Sequence, residues 1–149
     1  MKRSWRTTSA AETRALGRDL AVELSPDGAL LLSGDLGAGK TVLVQGLAEG
    51  LGIDPGAVQS PTFTLHAVHR AGGNVLHHFD LYRLAPAEVA ATGFEELLLG
   101  PGVKAVEWAE RLPFAVPGAR VIRIRRAGEA RAIEELDAGA DGNERDDRA

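Results

Sequence analysis

The sequence predicts one α/β domain, a mixed β-sheet flanked by helices, and three features predict it. A short apolar run, Ala29 to Ser33, leads through a glycine-rich stretch into a helix-period pattern at Leu43, Leu47 and Leu51. Two strand-like segments follow, Thr62 to Arg70 and Asn74 to Tyr82, joined through Ala71-Gly72-Gly73 as an antiparallel hairpin. Further apolar runs, Val103 to Trp108 and Val121 to Ile124, then alternate with helical segments. The length of 149 residues suits a single domain, and 44% hydrophobic with 26% charged residues is the balance of a globular chain.

In order along the chain, Ser9-Ala10-Ala11-Glu12 has capping-box spacing, and Leu16, Leu20 and Leu24 continue it as an amphipathic helix over about 10–24. Ser25-Pro26-Asp27-Gly28 is a turn. The run Ala29 to Ser33 reads as a strand buried on both faces. The helix after the glycine-rich stretch ends near Gly52, and Asp54-Pro55-Gly56 breaks the chain again. Pro86 to Leu99 reads as one helix or two, interrupted near Gly93, and Gly100-Pro101-Gly102 turns into the strand at Val103. Val121, Ile122 and Ile124 give the last clear strand. Residues 1–138 are predicted to form the domain, with 139–149 a mobile acidic tail.

Charge and composition exclude several classes. Residues 1–128 hold 14 basic and 13 acidic side chains, whereas residues 129–149 hold 3 and 8, so the predicted core is near neutral and direct DNA binding is not expected. No apolar run is long enough for a membrane span, and Met1 to Trp5 opens no signal-peptide core. With no cysteine there is no disulfide frame or thiol nucleophile, and the expected compartment is the cytoplasm.

Gly34-Asp35-Leu36-Gly37-Ala38-Gly39-Lys40-Thr41 fills the G-x-x-x-x-G-K-[ST] pattern between a strand and a helix. Glycines let successive backbone N–H groups curl toward a polyphosphate, and the helix N-terminus adds partial positive charge. Lys40 would reach the β- and γ-phosphates and the Thr41 hydroxyl would help hold Mg²⁺. Of 17 basic residues only Lys2, Lys40 and Lys104 are lysines; a lysine here fits a site that needs a compact point charge. The predicted fold is therefore a single P-loop NTPase-like domain.

Two acids end apolar strands, Asp80 after Val75 to Phe79 and Glu107 after Val103 to Val106, and both could face Thr41 at the carboxyl ends of the sheet. Ion pairs of Asp80 with Arg83 and of Glu107 with Arg111 are the alternatives. Ser60-Pro61-Thr62 is either a γ-phosphate-sensing segment or a turn stiffened by Pro61. Trp108 either stacks on a base or fills the core. His66, His69, His77 and His78 all lie in the hairpin, but period-two alternation keeps them from converging on one metal, leaving at most a cross-strand pair; His78 shares a face with Asp80. Arg123, Arg125 and Arg126 meet an acidic partner or decorate a sheet edge. The chain has no Asn-Lys-x-Asp guanine reader, which favours adenine as the base.

Together, the loop at 34–41, Ser60-Pro61-Thr62-Phe63-Thr64-Leu65, His78-Phe79-Asp80-Leu81-Tyr82-Arg83-Leu84 and Val106-Glu107-Trp108 resemble the TsaE family, small P-loop ATPases of bacterial tRNA threonylcarbamoyladenosine synthesis. The resemblance spans residues 30–112. It implies that ATP and Mg²⁺ are the cofactors, that Thr41 and Glu107 ligate Mg²⁺, and that Asp80 is the acid at the metal-water site. It also implies that Ser60 and Thr62 form a nucleotide-responsive loop, that Trp108 lies beside the nucleotide, and that Ser9 or Thr13, with Arg131, approaches it. Its further implication is weak ATP hydrolysis in support of a TsaB–TsaD pair, with tRNA met only through those partners. The rival readings are a small-molecule kinase, for which no arginine-rich lid lies between Gly52 and Pro101, and a nucleotide-binding module without turnover. The loop after the Glu-Trp pair, marked by Pro113 and Pro117, and the residues from Gly139 depart from the family pattern.

Overall fold

A computed structural model describes residues 2–35 and 37–137. The elements are β1 (Arg3–Thr7), α1 (Ala10–Glu23), β2 (Ala29–Ser33), α2 (Lys40–Gly50), β3 (His66–Ala71), β4 (Asn74–Asp80), α3 (Pro86–Ala90), α4 (Phe94–Leu98), β5 (Val103–Glu107), β6 (Arg120–Ala127) and β7 (Ala130–Leu136). One seven-stranded sheet runs β1-β7-β6-β2-β5-β4-β3. Its centre, β6-β2-β5-β4, is parallel, and its flanking pairs, β1/β7, β7/β6 and β4/β3, are antiparallel. The mixed α/β architecture is the one the sequence predicts.

Each element has a local cause. Ser9 caps α1, its hydroxyl accepting from Glu12 N–H at 3.1 Å. The pattern at Leu16, Leu20, Leu43 and Leu47 packs α1 and α2 on one face of the sheet, against Leu30, Leu32, Ile122, Ile124 and Ile133. On the other face, α3 and α4 lay Val89, Phe94 and Leu98 over Leu31, Phe79 and Val106. The two short helices resolve the segment 86–99, broken at Gly93, and the β3–β4 turn tightens to Gly72-Gly73 because Ala71 pairs with Asn74.

Three expectations are corrected. The last strand is β7, not β6, and β1 precedes α1. Both were missed because their charges look like surface: Glu135 on β7 is 2% exposed, and its carboxylate accepts from Arg3 on β1 and Arg120 on β6. Arg123, Arg125 and Arg126 do not decorate an edge, since β6 lies between β7 and β2, and the edges are β1 and β3. Arg123 and Arg125 pair with Glu134. Finally, the folded part extends through β7, so to Asp137 it holds 15 basic and 17 acidic side chains and is slightly acidic. The proposed tail, 139–149, lies outside the described residues.

The Glu135 network gives a stability prediction. Glu135 is held below the usual carboxylate range first by Arg120, and Glu23, bonded to Arg3, is lowered to about 2. Folded-state values below the unfolded 4.5 mean this stabilisation is present above pH 4.5 and is lost as pH falls toward 2. Glu135→Ala is expected to cost about 2 kcal/mol at neutral pH, since it removes the buried carboxylate shared by Arg3 and Arg120 and leaves them only the half-exposed Glu23, and to flatten the acid limb of the stability curve. Urea midpoints across pH 2–7 check it; an unchanged midpoint at neutral pH contradicts the network's role.

Candidate functional site

Side-chain alternation decides which acids reach the glycine loop. On β4, Leu76, His78 and Asp80 share the face of α2, and on β5, Val103, Ala105 and Glu107 do. Parallel pairing sets Asp80 beside Glu107 at the carboxyl ends of the two strands. Lys40 and Thr41 open α2 at the same end, so the loop, both acids, Ser60 and Thr62 surround one cavity of about 360 Å³.

Gly37 and Gly39 take φ of +75° and +113°, conformations that curl the loop and that a Cβ would strain. Lys40 is 4% exposed. Its ammonium donates to the Gly34 carbonyl and, at 2.8 Å, to the Asp35 carbonyl, and lies 4.5 Å from the centroid of the Trp108 ring. Burial pushes the Lys40 pKa down, against the pull of Glu107, Glu110, Asp80 and Asp35. Ala38 is buried, and Leu36 lies outside the described residues.

Thr41 Oγ1 donates to both Glu107 carboxylate oxygens, at 3.0 and 2.9 Å. Behind them His78, fully buried, shares a 2.7 Å hydrogen bond with Glu107 Oε2. Neither acid forms the alternative ion pair: Arg111 donates instead to the Tyr82 and Leu84 carbonyls, and Arg83 stacks on Phe63. The Asp80 carboxylate accepts from Ser60 Oγ, from Thr62 Oγ1 at 2.9 Å and from Tyr82 N–H at 2.9 Å. The Ser60-Pro61-Thr62 segment is thus tied to the strand-end acid by its hydroxyls rather than being only a proline turn.

Among the described residues two non-glycine residues have positive φ: Leu65 (+71°), whose carbonyl accepts from Asp80 N–H at 3.0 Å, and Trp108 (+60°), which lines this cavity. Such backbone costs about 1 kcal/mol or more each and collects at functional sites. At Trp108 the ring lies over Lys40 and against Tyr82, so it lines the cavity while also packing on the edge of the core.

Ser9, Thr13 and Arg131 lie on the other side of Gly39, around a separate cavity of about 100 Å³. Thr13 Oγ1 bonds Thr7 Oγ1 at 2.7 Å, and Arg131 donates to the Ala38 carbonyl at 2.9 Å. The histidines divide between faces: His66 and His77 share a 2.9 Å hydrogen bond and stack near Phe79, while His78 points the other way to Glu107. Burial pushes His66, His69 and His77 below the usual imidazole value. Among the described residues no three His, Cys, Asp or Glu side chains group as a metal cage.

Sequence reasoning did not assign three neighbours of the site. His78 had a signal, its shared face with Asp80. Tyr82 bonds Asp80 through its backbone N–H, for which a side-chain pattern gives no signal, and packs its ring against Trp108. Glu110 lies two residues beyond Trp108 with a buried, unpartnered Oε1; burial raises its carboxyl above the usual range, against the opposing pull of Lys40.

The donor set suits a hard divalent cation of the magnesium kind. Such a cation takes few protein ligands, here an alcohol and a carboxylate already in contact, and completes its shell with water and phosphate oxygens.

A family model described as threonylcarbamoyl adenosine biosynthesis protein TsaE matches residues 7–134. A Bacillus subtilis protein described as tRNA threonylcarbamoyladenosine biosynthesis protein TsaE is 43% identical over 126 residues, 84% of this chain and 78% of that protein. Proteins of the same description from Nostoc and Synechocystis are 48% and 50% identical over 68% and 65% of this chain. The matched part spans just under two thirds of those two relatives, 65% and 64% of their lengths. The crystal structure of Bacillus subtilis YdiB superposes with a TM-score of 0.69 at 37% identity, covering 89% of this chain and 83% of that one. With a family match over most of its length and a mixed sheet carrying a phosphate-loop motif between β2 and α2, the chain belongs to the TsaE family.

Proposed function

We propose that this protein binds ATP with Mg²⁺ at the 34–41 loop, hydrolyses it slowly, and by doing so supports a cytoplasmic TsaB–TsaD pair in the threonylcarbamoyl modification of tRNA adenosine. The observation that carries the reading is the chain Thr41–Glu107–His78 at the mouth of the glycine loop. It supports the reading by putting a hydroxyl and a carboxylate that suit a metal ion beside the glycine loop, and the relatives' description as tRNA threonylcarbamoyladenosine biosynthesis proteins supports the pathway.

In this reading the loop N–H groups and Lys40 bind the phosphates, and Lys40 stabilises charge developing on the terminal phosphoryl group. Thr41 and Glu107 would hold the metal ion, with Asp80 at its water shell, and the ion would supply positive charge to offset that of the phosphates. His78 orients the Glu107 carboxylate. Ser60 and Thr62, hydrogen-bonded to Asp80, respond to the nucleotide, and Trp108 lies against it. Ser9 or Thr13, with Arg131, contacts it from the smaller cavity. The tRNA is reached through the protein partners, in keeping with the slightly acidic fold.

Single-turnover ATP hydrolysis with and without the TsaB–TsaD pair tests the reading. Partners that change neither rate nor nucleotide affinity would sink it. Glu107→Gln is expected to raise the Mg²⁺ concentration for half-maximal turnover by about tenfold or more, because the amide loses the charge that binds the ion. A Mg²⁺ titration of that variant matching the parent's would remove Glu107 from the metal site.

A further inference from the structure

The β6–β7 hairpin carries two arginines on one rung. Arg126 and Arg131 are register partners, directly opposite each other, where like charges destabilise an antiparallel pair. Alternation puts both on the face of Ile124 and Ile133, the face of α2, at the end of the sheet where the glycine loop lies. Their guanidinium groups converge on its crest: Arg131 Nε donates to the Ala38 carbonyl at 2.9 Å, and Arg126 Nη2 to the Gly37 carbonyl at 3.3 Å. A Cβ on Gly37 would stand 2.6 Å from Arg126 Nη2, so the guanidinium lies on the bare face of that glycine.

Elsewhere on this ribbon every arginine has a carboxylate: Arg120 has Glu135 and Glu23, and Arg123 and Arg125 have Glu134. Among the described residues Arg126 and Arg131 have none. A like-charged rung without a counter-ion, set against a phosphate-binding loop, is a field that favours a polyanion. The two arginines differ in freedom. Arg131 is half-buried and bonded at short range, whereas Arg126 is exposed and held by one long bond to a neutral carbonyl. A phosphate oxygen binds a guanidinium through charge-assisted, bidentate contacts that such a bond cannot match.

We propose that Arg126 contacts the terminal phosphate of a nucleoside triphosphate bound by its own chain, and so distinguishes triphosphate from diphosphate. The inference rests on the nucleotide reading of the loop and deepens it.

Equilibrium titrations of the full chain with ADP and with a non-hydrolysable ATP analogue, each with Mg²⁺, test it. The parent is expected to bind both. Arg126→Ala is expected to keep its ADP affinity within about twofold while losing about tenfold or more for the triphosphate, a difference of about 1.4 kcal/mol. Arg126→Lys is expected to recover part of that loss, keeping the charge but not the fork. Equal weakening of both ligands would reduce Arg126 to a brace on the Gly37 carbonyl and overturn the proposal, as would no change in either. A parent chain that binds neither nucleotide would overturn the reading of the loop itself, which the parent titration reveals separately.

Discussion

Lys40→Ala is expected to lower ATP turnover about 100- to 1,000-fold while leaving the fold in place. The ammonium is buried at the loop's mouth, and Glu107, Glu110, Asp80 and Asp35 all lie within its electrostatic reach. Without it those acids have no compensating cation at the nest, so a polyphosphate meets net repulsion and the transferring phosphoryl group loses its nearest positive charge. Arginine is not a substitute, because a planar fork does not fit where a point charge is held between two carbonyls and the Trp108 ring. The Gly34 and Asp35 carbonyls lose their donor, which costs the fold about 1 kcal/mol. Single-turnover hydrolysis in the presence of the partner pair, run beside a thermal melt, checks both halves. Ordinary turnover by the alanine variant would refute the mechanism.

The largest stability effect is expected from Gly46→Ala. In most helix interiors this change stabilises by about 1 kcal/mol, because alanine is the better helix former. Here the sign reverses. A Cβ on Gly46 would stand 2.0 Å from the Arg14 carbonyl oxygen, and one on Gly17 would stand 2.3 Å from the Leu43 carbonyl oxygen. The helices α1 and α2 therefore meet backbone to backbone, and an added methyl must push them apart through a packed interface. A net loss of about 3 kcal/mol is expected, a fall of about 10 °C in the melting midpoint for a domain of this size. Because α2 begins at Lys40 and Thr41, nucleotide affinity should fall as well. A melting midpoint equal to the parent's would show that the helices do not approach this closely.

Where the signal was local, sequence and structure agree. The strand Ala29–Ser33, the cap at Ser9, the hairpin between β3 and β4 and the break at Gly93 are each set by a few neighbouring residues. The strand-end positions of Asp80 and Glu107 were legible for the same reason, since an apolar run shows where a buried strand stops. What was not legible was β1 and β7. Their charged residues read as solvent-facing because the partners that satisfy them lie on other strands: Glu135 is held by Arg120 on β6 and by Arg3 on β1, the second 132 positions away in the chain.

The sequence by itself determined the phosphate-loop motif, the α/β class and the family. A G-x-x-x-x-G-K-T loop carries its backbone curl and its point charge in consecutive residues, and the other motifs keep their order. The tertiary structure alone decided how the site is wired. Parallel register brings Glu107 to Thr41 and His78, and ties Asp80 to Ser60 and Thr62. Antiparallel pairing at the far end of the chain places Arg126 and Arg131 over the loop. The reason is physical: a side chain's type and face follow from its neighbours along the chain, but its partner follows from the order and register of the strands.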